Sequence, residues 1–492
     1  MLNKILELGK DTAVYGVSTI IGRFIGFLLV PFYTQVFTTE QFGIYSYVYT
    51  LFAFLNIIYV YGMDVAFMKY DSLVDGEEKK KIFSTTFITV LITSIILSII
   101  FFALRFPISE LLEIRYYKFD IVYFVILILL IDSLTFIPFA DLRLRRKAKK
   151  FATIKILNII INVTLNIILI LVFKQGIEAI FIANLIASIF SLLALSKEIL
   201  EKLKFKIDKA VLKRSLKFGI PYLPASLSAM TVQVIDVPIL GMLTDESTVG
   251  IYRANYKLGI IMMLFVSMFQ YAWQPFFLVN AKEKNAKEIF AKVLTIFVIV
   301  GGVICVFFSL FIEDVAQFEI FGRTIIGRDY LVGLIIVPLV LLGYFFNGIY
   351  FNFSAGIYIE EKTKYTFLVT GIGALVKIGI NFLLIPVWGL MGAAFSTLIS
   401  YMAIAFSQYT ISQKFYKTNY EYSKVIKLLV LVFLAIGAYY LLFYFGEINL
   451  LIKLLVMLIF IGLIFVLRII NFKEISTILT NIFSKSEKKN II

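Results

Sequence analysis

Residues 39–45 read Thr-Glu-Gln-Phe-Gly-Ile-Tyr, and residues 246–252 read Glu-Ser-Thr-Val-Gly-Ile-Tyr. The offset between them, 207 positions, also lays Pro31 on Pro238, Lys80 on Lys287 and Ile82-Phe83 on Ile289-Phe290. Further along, offsets of 213 to 215 bring Phe139 to Phe353, Lys150 to Lys364, Asn166 to Asn381 and Gly176-Ile177 to Gly389-Leu390. One offset shared by several landmarks means that the chain carries two copies of one unit.

Each copy is built from apolar runs. Of 492 residues, 61% are apolar and 16% are charged, and the mean hydropathy is +0.94, values that exclude a soluble globular protein. A membrane-crossing helix needs about 20 apolar residues. The runs give fourteen expected spans: 12–37, 43–68, 82–104, 119–141, 153–173, 177–195, 215–243, 248–279, 288–312, 331–359, 365–385, 389–411, 425–446 and 449–470. The fold class expected is all-α, a polytopic membrane protein with two pseudo-symmetric six-helix lobes and two further C-terminal helices.

Of 47 Lys and Arg, seven fall in the odd-numbered loops, namely Arg105, Arg115, Lys118, Lys174, Arg323, Arg328 and Lys453. The even-numbered loops and the termini hold nearly all the rest. Positive charge collects on the cytoplasmic side, so both termini are expected there. The formal charge of +15 is thereby a matter of topology, and a nucleic-acid partner loses its support. The first span is too long for a signal-peptide core and carries Arg23, so it is expected to be retained. Histidine is absent and Cys305 is the single cysteine, which excludes disulfide frameworks, Cys–His catalysis and the usual zinc sites. No phosphate-cradling Gly-rich loop is present, no cofactor is expected, and the short external turns leave no room for a catalytic domain. A transporter is expected rather than an enzyme.

The domain boundaries follow: an N-lobe at 1–196, a cytoplasmic amphipathic connector at 197–214, a C-lobe at 215–412, two further spans at 413–470 and a cytoplasmic tail at 471–492. The connector places Ile199, Leu200, Leu203, Ile207, Ala210 and Val211 along one helical face with lysines opposite, a pattern suited to the inner membrane surface and its anionic lipids. The tail repeats it with Ile475, Ile478, Leu479, Ile482 and Phe483. Six spans per copy is an even number, so both copies enter from one side and are related by an axis along the membrane normal, with a binding site between them.

Arg23, Arg253, Lys257 and Lys377 lie inside expected spans, with Asp64, Asp132 and Asp236 as the clearest acids. A charge at the bilayer centre costs about 2.5 to 3.5 kcal/mol on the insertion scale. Such cations either line water or pair internally with the three aspartates. A set of cations in a membrane cavity suits an anionic phosphate, which Arg meets with a fork and Lys with a point charge. Asn158, Asn162 and Asn166 recur every four residues on the fifth span, and the copy on the eleventh carries Lys377 and Asn381 at the places of Asn162 and Asn166. This polar stripe serves either sugar hydroxyls or bonds between helices. Gly22 and Gly26 flank Arg23 as a helix-packing pair, while Pro31, Pro138, Pro221, Pro224, Pro238, Pro275 and Pro338 interrupt spans. Tyr252, Tyr256, Trp273 and Trp388 offer rings to a sugar or to the core.

The duplicated lobes, Ile21-Gly22-Arg23-Phe24, the Thr38–Tyr45 turn and the Asn-rich fifth span resemble the oligosaccharide flippases, the Wzx-type polysaccharide biosynthesis proteins of the multidrug/oligosaccharidyl-lipid/polysaccharide (MOP) exporter superfamily. The resemblance implies a polyprenyl-diphosphate-linked oligosaccharide, such as an O-antigen repeat unit, moved from the inner to the outer leaflet of the bacterial cytoplasmic (inner) membrane, the location it implies for this chain. It implies Arg23 and Arg253 as diphosphate ligands, with Lys257, Lys377, Asn162, Asn166 and Asn381 completing the expected substrate set. Asp64, Asp132 and Asp236 are the expected carriers if protons or sodium couple to transport. Membrane lipids, and other polysaccharide assembly proteins, are the expected partners. A lipid-linked peptidoglycan precursor flippase and a cation-coupled multidrug exporter are the alternatives within the superfamily, although four buried cations argue against the second.

Overall fold

The computed structural model describes residues 29–111, 121–281, 283–320, 323–362, 364–446 and 449–469. Arg23, Gly22, Gly26 and the amphipathic tail lie outside the described residues.

The N-lobe holds the end of the first span as α1 (29–36), then α2 (Thr39–Val60), α3 (Met63–Asp71), α4 (Glu77–Ala103), α5 (Arg105–Leu111), α6 (Ile121–Leu144), α7 (Ala148–Leu171) and α8 (Glu178–Ala194). The connector forms α9 (Ser196–Lys202) and α10 (Lys209–Gly219). The C-lobe comprises α11 (Tyr222–Val234), α12 (Asp236–Leu243), α13 (Glu246–Tyr256), α14 (Ile260–Asn280), α15 (Ala286–Gln317), α16 (Val337–Ile359), α17 (Lys364–Trp388) and α18 (Leu390–Phe415). It is followed by α19 (Tyr422–Phe445) and α20 (Leu450–Val466).

Among the described residues, ten helices are long and apolar enough to cross a membrane, or up to twelve if each of two bent pairs is one span; α20, with 17 residues, falls short. The expected count of fourteen is thus not reached by length and composition. Exposed apolar side chains such as Ile92, Ile95, Ile96, Ile99 and Ile100 on α4 and Leu434 and Leu441 on α19 give the outside of the bundle the surface that acyl chains solvate.

Two expected spans are broken. The seventh bends by 58° between α11 and α12, where Pro238 in the first turn of α12 removes a backbone N–H. The eighth is interrupted by a 3-10 turn at Lys257–Gly259. The stretch before α16 is not a bare loop: β1 (Glu319–Ile320) and β2 (Arg323–Thr324) pair antiparallel, and a 3-10 helix (Arg328–Ile336) runs into α16.

The connector differs from its expected place on the lipid surface. Ile199 and Val211 are buried against the N-lobe, and ion pairs fasten it: Lys150–Glu198 at 2.6 Å, Lys202–Asp141, and Lys204–Glu77. Asp141 and Asp71 also hold Arg145 at 3.2 and 3.3 Å. Leu200 and Phe205 remain exposed and keep the character of a lipid-facing edge. At the far end of the chain, Lys453 on α20 meets Asp314 on α15 at 2.5 Å.

Candidate functional site

The duplicated turn is where the lobes meet. Thr38 caps α2 reciprocally with Gln41, each side chain accepting the other's backbone N–H at 3.2 Å. At the equivalent position of the second copy, Asp245 caps α13 by accepting the Thr248 N–H at 2.8 Å. The two helices so started pack against each other about the pseudo-twofold axis. A Cβ on Gly43 would strike the Glu246 carbonyl, and a Cβ on Gly250 would strike the Thr39 carbonyl. These contacts are reciprocal, because Thr39 and Glu246 are themselves repeat partners. The Thr39 and Ser247 hydroxyls close the seam at 2.7 Å. Around it, Gln35 donates to the Thr324 carbonyl at 2.9 Å, and the Tyr330 hydroxyl reaches the Phe37 and Thr38 carbonyls at 2.9 and 2.8 Å. A second inter-lobe contact, at Gly62 against Gly219, closes the other end of α2, where Gly62 has a φ of 76°.

From this seam α13 carries Arg253, and Lys257 follows one turn later at its C-cap. Both are half-buried. The Arg253 guanidinium lies 5.9 Å from the Tyr256 ring, and the Lys257 ammonium stands 5.9 Å from Phe42 and 6.0 Å from Tyr45 across the lobe boundary. Among the described residues neither forms an ion pair. Two cations one helical turn apart, facing rings and lacking a carboxylate partner among the described residues, are a candidate site for an anion.

The remaining expected residues are placed differently. Lys377 and Asp236 are both fully buried and lie 3.5 Å apart. The Tyr252 hydroxyl donates to Asp236, and the Lys377 ammonium donates to the Val232 carbonyl at 2.8 Å, just before the α11–α12 bend. This corrects the expectations of a cavity-lining Lys377 and an available carboxylate at Asp236, since in this conformation each neutralises the other. Asn381 is sealed in the same core, with no partner for either amide atom. Asn166 is also fully buried and accepts from the Tyr33 hydroxyl at 3.0 Å while donating to the Asn162 carbonyl at 2.8 Å. Asn158 donates to Ala187 and Ser191 at 2.7 and 2.9 Å. The asparagine stripe is thus bonded between and along helices, with Asn162 half-buried beside it.

Asp64 faces Arg143, and Asp132 faces Ser188 and Lys155. Arg143 and Lys155 were not among the residues expected at the site. The signal for Lys155 was its place one turn before Asn158, which extends the stripe. Also missed was a cavity of 470 Å³ inside the C-lobe, lined among others by Gln233, Gln270, Asn347, Tyr344, Tyr350 and Tyr401. Its signal was carboxamides within apolar spans.

The family model described as polysaccharide biosynthesis protein matches residues 8–281. The chain belongs to that family. No curated protein matches it. Among solved structures, it is similar to the lipid II flippase MurJ in an inward closed conformation, with a TM-score of 0.70, 18% identity, and coverage of 92% of this chain and 99% of that one. It is also similar to an inward-facing multidrug resistance MATE family transporter of the MOP superfamily (TM-score 0.63, 14% identity, 82% of this chain, 95% of that one). A third is a MOP superfamily transporter from Pyrococcus furiosus, described by a reverse polarity of its binding pocket (TM-score 0.57, 13% identity, 82% and 95%). At such identities the likeness is one of fold. The chain is a multi-pass membrane protein with the fold of the MOP transporters.

Proposed function

We propose that this family member carries a polyprenyl-diphosphate-linked oligosaccharide, an O-antigen or other surface-polysaccharide repeat unit, from the cytoplasmic to the outer leaflet of the bacterial inner membrane, its two lobes alternating in access. The observation that supports the reading is the pair of half-buried cations Arg253 and Lys257 at the inter-lobe seam, unpaired among the described residues. Keeping such charges without a counter-ion is costly in a membrane, and a diphosphate repays that cost with charge-assisted hydrogen bonds. Arg23, from the first span, is the proposed third ligand. Outward movement of a negative head group, away from a negative interior, gains about 2.3 kcal/mol per charge per 100 mV. Coupling to protons or sodium, if it operates, falls to Asp64 and Asp132, because Asp236 is committed to Lys377.

The same cations disfavour a cationic drug as cargo. A lipid-linked peptidoglycan precursor shares the diphosphate and differs in its sugars and peptide. The test is transfer of a defined undecaprenyl-diphosphate-linked glycan across proteoliposomes. Arg253→Ala and Arg23→Ala abolish transfer in protein that still inserts, while Arg23→Lys retains part of it. Undiminished transfer by either alanine variant overturns its assignment, and transfer of lipid II in preference to the oligosaccharide moves the reading to the peptidoglycan precursor.

A further inference from the structure

The C-lobe cavity is an open pocket lined by α11, α14, α16, α17 and α18, and its 470 Å³ falls within the range of small-ligand pockets. Its lining holds no Asp, Glu, Lys or Arg. It holds three carboxamides instead, Gln233, Gln270 and Asn347, none of which has a protein hydrogen-bond partner among the described residues. Gln233 is exposed, and Gln270 and Asn347 are half-buried, so their amide groups are free to bond whatever enters the cavity from solvent. Three tyrosines, Tyr344, Tyr350 and Tyr401, supply flat apolar faces around them. A small extension of 30 Å³ continues past Gln270 to Gln274 and Trp273.

The cavity also lies within reach of the cation pair. Arg253 stacks near Tyr256, the Tyr256 ring lies 6.0 Å from Tyr344, and Tyr344 lines the cavity. The Tyr256 hydroxyl, on that path, is buried without a partner. The Tyr256 and Tyr344 rings thus stand between Arg253 and the cavity.

Building on the diphosphate reading above, we infer that this cavity is the subsite for the glycan, and that the sugars seated in it are uncharged. Hydroxyls and acetamido groups match donor and acceptor amides, and the apolar face of a pyranose covers a tyrosine ring. A uronic acid would leave its carboxylate desolvated and unpaired, because no cation faces the cavity. Specificity for neutral sugars then comes from the absence of charge in the lining as much as from its amides.

The test is equilibrium binding to the full-length protein in detergent with four probes: bare undecaprenyl diphosphate, the same lipid carrying a neutral N-acetylhexosamine–hexose disaccharide, the lipid carrying a disaccharide with a hexuronic acid, and tetraphenylphosphonium. Wild type binds the neutral glycolipid more tightly than the bare lipid and more tightly than the uronic form. Gln270→Leu and Asn347→Leu each weaken the neutral glycolipid about 10-fold, the scale of one lost buried hydrogen bond, and leave the bare diphosphate unchanged, which also certifies the fold. Arg253→Ala weakens both lipids. Unchanged glycolipid affinity in the cavity variants, alongside a weakened Arg253→Ala, overturns the subsite and leaves the diphosphate reading standing. Equal loss of bare and glycosylated lipid in the cavity variants, or tighter binding of the uronic form, also overturns it. Tetraphenylphosphonium displaced by Gln270→Leu, with no preference for sugar, assigns the cavity to a cation instead. Failure of wild type to bind any diphosphate lipid ends both readings.

Discussion

At matching places in the duplicated sequence, α7 carries Asn162 and Asn166 where α17 carries Lys377 and Asn381. In the N-lobe the buried amide is met by a neutral phenol, Tyr33. In the C-lobe the buried ammonium is met by Asp236, which in turn takes the Tyr252 proton donor. Beside these, Arg253 and Lys257 stand at the seam with no carboxylate partner among the described residues. The difference teaches that charge inside a span does not by itself mark a binding site. On the proposed reading, a paired charge holds the fold together and an unpaired one is left for the ligand.

The largest effect is expected from breaking the sealed pair. Asp236→Ala strands the Lys377 ammonium, and removal of one partner from a buried pair costs about 3 to 5 kcal/mol. Thermal unfolding in detergent should register severe loss for that variant and recovery in the double variant Asp236→Leu with Lys377→Met. A single variant as stable as wild type would remove the distinction drawn between the two kinds of cation.

Next comes the seam. Gly43→Val pushes side-chain carbon into the Glu246 carbonyl, so the lobes are forced apart there. Transport should fall at least about 10-fold, with Gly250→Val behaving alike because the contact is reciprocal. Normal transport by either variant would show that the seam does not close during the cycle. A smaller loss is expected for Asn166→Ala, which leaves the buried Tyr33 hydroxyl without its acceptor and costs about 1 to 3 kcal/mol. Calorimetry that places this loss above that of Asp236→Ala would invert the comparison between lobes.

The smallest effect lies at the connector. The hydrogen bond from Lys204, with further help from Lys80, holds the Glu77 carboxyl down to about 2, below the ordinary value near 4.3. A depressed carboxyl contributes stability above its unfolded value and loses it as pH falls through the folded one. Hydrogen exchange in the connector should therefore be unaltered between pH 7 and pH 5, and Glu77→Gln, at an exposed pair, should leave transport unchanged. Release of the connector at pH 5 would point to a different anchor.

Much of the fold was legible in the sequence because membrane helices declare themselves through apolar length alone, and the repeat placed the lobes. Helix ends agree to within a few residues, as at α17 and α18. The partners of the charges were not legible. Lys377 finds Asp236, and Lys202 finds Asp141, through helix rotation and packing between segments far apart in the chain, which periodicity does not encode. The connector looked like a lipid-surface helix because its apolar face is equally suited to the N-lobe. The cavity amides were hidden for a related reason, since an isolated Gln in an apolar run carries no sign of which neighbours will surround it.

The most direct test of the account compares the affinity for undecaprenyl diphosphate of Arg253→Ala with that of the double variant Asp236→Leu/Lys377→Met. The account predicts a loss of about 10-fold or more in the first and an unchanged affinity in the second. An unchanged affinity in the first, with the loss falling on the second, would contradict it.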